Sequence, residues 1–328
     1  MDILGIPIAI GSACALAKAI KIGIVLKKET TFRLGKIGRP NREVLTPLNL
    51  DVIKGLDEEY KLRTDINKLD EILDRRNKTY LRKNIRNLKL GNLSKYEFKD
   101  PNGAYNPASN KIELGQIEDR SELDHELLRI ASTTKVFGHV FSGFSQSNFF
   151  SNVGKGLNTG YTQVLNSRYF DHKPNNEFYP ERLFARCIEK MVGKDNMENY
   201  YFMGELSFLI EDLEPYMQES DVEALIISLD IINKYGHKEK KSKRQEELVK
   251  KAYIKATLAT RKGLLLLVQK SGYDPSMIDM YYKCTNMINE LLNENGITEE
   301  DLSIDDVVKL EPINLMEIAR KRKVRIEK

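Results

Sequence analysis

The chain has 328 residues, 41% of them hydrophobic and 30% charged, which is material for one large or two ordinary domains with a sizeable core and excludes wholesale disorder. Its 52 basic and 48 acidic residues leave a net charge of only +4, so the overall charge gives no argument for a polyanion partner. Three cysteines without a Cys-x-x-Cys pair exclude a disulfide scaffold and a cysteine zinc ribbon and suit a reducing, cytoplasmic setting, while four histidines mean that a three-histidine metal site would need nearly all of them.

The first segment, residues 1–40, is apolar and then basic. Ile3 to Ala17 is almost wholly apolar and the character resumes at Ile22, but Lys18 and Lys21 interrupt it. A lysine at the centre of a spanning helix costs roughly 2.5–3.5 kcal/mol. A buried or interfacial segment is therefore the expectation, with membrane contact through residues 1–28 as the competing reading. In that case Lys27, Lys28, Arg33, Lys36 and Arg39 would keep the following chain cytoplasmic. Residues 41–95 read as helical and basic. Ile53, Leu56, Tyr60, Leu62, Ile66, Leu69 and Leu73 recur at helical spacing, and Leu81, Ile85 and Leu88 repeat among Arg75, Arg76, Lys78, Arg82, Lys83, Arg86, Lys89 and Lys95. With few interleaved aromatics, this is expected to be a solvated helix face rather than a contact for nucleic acid or another polyanion.

The character changes over residues 96–220. Asp100-Pro101-Asn102-Gly103 signals a turn, and Asn110 to Leu114 reads as a short strand closing a hairpin or small sheet. Ser121 to Thr133 is a helix, with Ser121 as the candidate N-cap and Asp124 in the capping-box position. Gly138 to Gly156 reads as a long Gly, Ser and Asn-rich loop carrying Phe141, Phe144, Phe149 and Phe150; such a loop is packed over something or functional. Leu157 to Tyr169 is again helical. From Tyr179 onward, and through 221–328, the pattern is helical apart from the charged connection His237 to Arg244, and a basic tail lies at Arg320 to Arg325. The predicted fold class is α+β, mostly α-helical, with a small β-sheet next to a helix pair and a helical C-terminal region.

The chemistry-bearing signal lies on that helix pair. His125-Glu126 in Leu123-Asp124-His125-Glu126-Leu127-Leu128-Arg129 is one residue short of His-Glu-x-x-His. In the full motif, positions i and i+4 share a helix face, so two imidazoles bind one metal while the Glu acts as general base on its water. Here Arg129 stands where the second His would be. The second helix carries Asn158-Thr159-Gly160-Tyr161-Thr162-Gln163. In order and residue types, Tyr96 to Phe170 resembles the gluzincin zinc metallopeptidases, whose second helix reads Asn-Glu-Gly-Tyr/Phe-Thr/Ala-Glu. The resemblance implies a peptidase-like core with Thr159 at the position of the third zinc ligand and Gln163 at that of the second Glu. It also implies a pocket between the two helices formed by His125, Glu126, Arg129, Asn158, Thr159, Tyr161 and Gln163.

The departures set the functional expectation. Only His125 remains of three ligands, since guanidinium has no lone pair to give and threonine is a poor substitute for a carboxylate. Glu126 and Tyr161 are then vestiges of catalysis. The charges stay balanced: zinc with one catalytic and one ligand Glu sums to zero, and so does Arg129 with Glu126. The expectation is a catalytically silent metallopeptidase-like protein with a binding or regulatory role, a peptide or protein partner, and no cofactor. Two alternatives stay open: an active peptidase holding zinc through an atypical set such as His125, His139 or His172 and a carboxylate, and a binder of anionic polymers or membrane surfaces. Cys14, Cys187 and Cys284 have no motif neighbours and read as inert thiols.

Overall fold

The computed structural model of the chain describes residues 68–69, 71, 73, 81–84, 89–91, 105–113, 120–136, 139–147, 152–173 and 176–302, all within the compact unit Asn49–Lys328. The apolar N-terminal segment, most of the basic stretch, the turn at 100–103, Phe149, Phe150 and the basic tail lie outside the described residues.

The architecture is α+β and mostly α-helical. A three-stranded sheet comes first: β1 (Lys89–Gly91), β2 (Tyr105–Asn106) and β3 (Lys111–Glu113), in the order β1-β3-β2, with β1 parallel and β2 antiparallel to β3. The strand expected around Ile112 is thus the centre of this sheet. The basic helix does not extend to Lys95, because Lys89–Gly91 pairs with Lys111–Glu113 instead. The helix α1 (Arg120–Ala131) follows. Ser121 lies inside its first turn rather than capping it.

The Gly, Ser and Asn-rich stretch is not a loop but a meander. Strands β4 (Thr133–Val136), β5 (His139–Ser142), β6 (Ser145–Ser147) and β7 (Asn152–Val153) pair antiparallel in sequence order. Its strands are short and polar, so backbone pairing rather than apolar alternation defines them. A two-residue turn at Gly143-Phe144 joins β5 to β6, with Gly143 at φ 54. A side chain at Gly143 would meet Asn158 Oδ1 at 2.0 Å and the Tyr201 ring at 2.5 Å, so glycine is required for space as well as conformation.

Helices follow: α2 (Lys155–Phe170), α3 (Tyr179–Val192), α4 (Lys194–Met203), α5 (Leu206–Leu213), α6 (Glu219–Ile231) continued by a π-helical turn Ile232–Gly236, α7 (Lys243–Lys270), α8 (Pro275–Glu294) and the short α9 (Glu299–Leu302). Ser242 and Gln245 form a reciprocal capping box at the start of α7, which ends the charged connection. Among the described residues, no helix is long and apolar enough to cross a membrane.

The central element is α2, buried from Leu157 through Asn166 apart from the half-buried Thr159. Two glycines one turn apart let neighbours approach its backbone. A Cβ at Gly156 would lie 2.1 Å from the Leu229 carbonyl oxygen of α6, and one at Gly160 would lie 2.2 Å from the Glu181 carbonyl oxygen of α3. The start of α2 has no cap of its own. Asp230 of α6 supplies one, accepting from the Gly154 and Gly156 amides at 2.9 and 2.8 Å. Burial nevertheless pushes the Asp230 carboxyl up to about 6, against the lowering effect of those amides.

Candidate functional site

The helices α1 and α2 run antiparallel, in a register set by two polar contacts. Asn166 Nδ2 donates to the Ser121 carbonyl at 3.0 Å, and one turn further along both helices Gln163 Nε2 lies 3.4 Å from His125 Nδ1. One more turn on each helix brings the positions of Thr159 and Arg129 level. The two motifs therefore sit on facing helices, with the same spacing on both.

Arg129 turns inward. Its Nη1 donates to Glu126 Oε2 at 2.7 Å, and the two side chains are only 12% and 5% exposed. Its guanidinium also lies 5.9 Å from the centre of the Tyr105 ring, on the β2 strand. Burial pushes the Tyr105 hydroxyl up to about 12, with Arg129 opposing the shift, and that hydroxyl donates to Asn110 Oδ1 at 2.9 Å. Tyr201 of α4 closes the same neighbourhood. Burial raises its pKa to about 12 while Thr162, Ser132 and Arg129 pull the other way, and its hydroxyl is 2.8 Å from Thr162 Oγ1.

His125 is held neutral. Burial, and then the nearby Arg129 charge, depress its pKa to about 3. Its Nδ1 is the nitrogen facing Gln163, so Nε2 is the one the glutamine leaves available.

Of the residues expected to line a common pocket, His125, Glu126, Arg129 and Gln163 come together, with Thr159 on the same face of α2 as Gln163. Asn158 and Tyr161 do not join them. Asn158 Oδ1 accepts from the Phe144 amide at 3.0 Å and so holds the β5–β6 turn. Tyr161 points to the other side of α2, into an aromatic cluster with Phe144 and Tyr201 at centroid distances of 5.6 and 5.7 Å. Phe144 is fully buried there, which is how the aromatic meander packs over the core. Burial and Glu189 drive the Tyr161 hydroxyl far above the usual phenol range, so it stays protonated.

The other histidines have separate partners. His172 Nε2 is 2.6 Å from buried Asp124, His237 Nε2 is 2.6 Å from buried Glu181, and His139 stacks on Phe141 in β5. Asp124 is thus tied to His172 rather than serving a capping box. Among the described residues, no group of three or more His, Cys, Asp or Glu is arranged to hold a metal ion. At the positions that the resemblance would make metal ligands stand one imidazole, one guanidinium bonded to Glu126 and one hydroxyl, a set that does not fit zinc.

Tyr105 and Tyr201 were not legible in the sequence as members of the site. Each comes from an element distant in sequence, and neither carries a spacing signal linking it to His125. No family model matches this chain, and neither a curated protein nor a solved structure matches it.

Proposed function

We propose that this chain is a catalytically silent, metallopeptidase-like protein that uses the face between α1 and α2 for binding rather than cleavage. The observation that carries the reading is the buried contact between Arg129 and Glu126. A metallopeptidase needs Glu126 free to take a proton from a metal-bound water. Here a guanidinium, which does not deprotonate at any physiological pH, holds that carboxylate as an ion pair. The position that would complete the metal site is the one filled by the cation. Support comes also from Gln163: its Nε2 can only donate, so His125 Nδ1 is the accepting nitrogen, the ring proton sits on Nε2, and neither nitrogen is left with a lone pair to offer a metal.

The partner implied is a peptide or protein segment that docks without being cut. Metal analysis of protein purified without added zinc tests the reading. Substoichiometric zinc is expected. About one zinc per chain, the content of a single catalytic site, lost on His125→Ala, would replace it with an atypical metallopeptidase.

A further inference from the structure

Away from the α1–α2 face, the turn between α6 and α7 gathers positive charge. Residues 234–244 hold six basic side chains (Lys234, Lys238, Lys240, Lys241, Lys243 and Arg244) against one acid, Glu239, in a chain whose net charge is only +4. All but the half-buried Lys241 are exposed. Among the described residues none of the six is in an ion pair, whereas Lys194, Lys262 and Lys283 elsewhere each face a carboxylate. The charge runs on into α7. Arg244, Leu248, Lys251 and Lys255 recur at i, i+4, i+7 and i+11, so they share one flank of the helix, and all four are exposed. Glu246 and Glu247 fall outside that row. Leu248, 38% exposed, is one of the three most open large apolar side chains among the described residues.

We propose that the α6–α7 turn and the basic flank of α7 form a docking surface for a membrane of anionic phospholipid. A bilayer with acidic headgroups is a plane of negative charge, and it attracts clustered lysines and arginines of about this number. Exposed cations without ion pairs meet it without first giving up a partner. Long basic side chains keep their charged ends at headgroup depth while an apolar neighbour enters the interface. Leu248, in the row of Arg244, Lys251 and Lys255, is that neighbour. The same leucine argues against nucleic acid, because an apolar side chain gains nothing from facing phosphates. Tyr235, the aromatic ring of the turn, is no open platform for stacking a base either. The ammonium groups of Lys234 and Lys238 lie over it, 5.1 and 5.2 Å from the ring centre. The capping box of Ser242 and Gln245 fixes where the turn enters α7, so the charges of the two parts are held as one surface.

The test titrates the full chain with vesicles of phosphatidylcholine, alone or with about a quarter phosphatidylserine. The protein should bind the acidic vesicles more tightly, and raising salt from about 50 to 300 mM should release it. Lys240→Glu with Lys243→Glu and Lys251→Glu should weaken binding about a hundredfold or more. The same change of net charge made at Lys173, Lys194 and Lys270, on other parts of the surface, should leave most of the binding. Leu248→Ser should weaken binding severalfold. All of these side chains are exposed, so the thermal midpoint should stay near that of the parent protein. Equal losses in the two triple variants would reduce the effect to net charge and overturn the site. So would equal binding to the two kinds of vesicle, or no binding of the parent protein. A short duplex DNA bound more tightly than the acidic vesicles, and unaffected by Leu248→Ser, would assign the patch to nucleic acid instead.

Discussion

Gln163 Nε2 stands 3.4 Å from His125 Nδ1, and this contact ties the end of one motif to the start of the other. It fixes the register of α1 on α2, since Asn166 meets Ser121 one turn away in the same sense. It also decides which imidazole nitrogen the glutamine occupies and which it leaves open. A neutral ring so held, beside a carboxylate already paired to a guanidinium, is suited to orient a bound group by hydrogen bonding rather than to activate water.

Removing the guanidinium should be costly. The Arg129–Glu126 pair is almost out of solvent, so Arg129→Ala takes away the buried cation that Glu126 is bonded to. The expected cost is on the order of 3–5 kcal/mol, while Arg129→Met with Glu126→Leu should recover most of it. Urea denaturation of the three variants decides the point. A loss below about 1 kcal/mol for Arg129→Ala would mean that water reaches the pair, as at exposed bridges.

The helices of this fold were legible because apolar residues recur at their period, as in 277–292. The pairing of Arg129 with Glu126 was legible too, because three residues on a helix put two opposite charges side by side. The meander was not. Ser145-Gln146-Ser147 has no apolar alternation, and only partners on both sides make it a strand. The direction of Tyr161 was also hidden. Adjacent motif letters on a helix lie on different faces, and only α3, α4 and the β5–β6 turn show which face is core.

If Arg129 and Thr159 fill vacated ligand positions, restoring the ligands should restore metal. Arg129→His alone provides two imidazoles at i and i+4 and no third donor, so zinc affinity should stay weak. Arg129→His with Thr159→Glu should bind zinc measurably, read by competition with a chromophoric chelator. Equal affinity of the single and double variants would mean that Thr159 does not face the site.

Gly160 tests the packing that brings the second motif to the first. With the Glu181 carbonyl oxygen 2.2 Å from where a Cβ would stand, Gly160→Ala must push α3 off α2. Neither backbone can yield cheaply, so the loss should exceed the 1–3 kcal/mol typical of overpacking, at roughly 3 kcal/mol or more. Chemical denaturation measures it. A loss near zero would show that the two helices separate freely.

The protonation of His125 links the site to pH. Its folded pKa of about 3 lies below the ordinary 6.5. Between those values the unfolded chain binds the extra proton, so the stabilisation present above pH 6.5 is lost as pH falls toward 3. Other groups titrate over the same range, Asp230 among them with the opposite sign, because its carboxyl is raised from 3.8 to about 6. The informative quantity is therefore the difference between the parent protein and His125→Gln, a side chain that can still meet Gln163 but does not titrate. That difference should move against the parent by about 2 kcal/mol between pH 7 and pH 5. Urea titrations of both proteins at the two pH values give it directly. A difference that stays constant would mean that the native imidazole protonates as readily as an unfolded one, and that neither burial nor Arg129 holds it neutral.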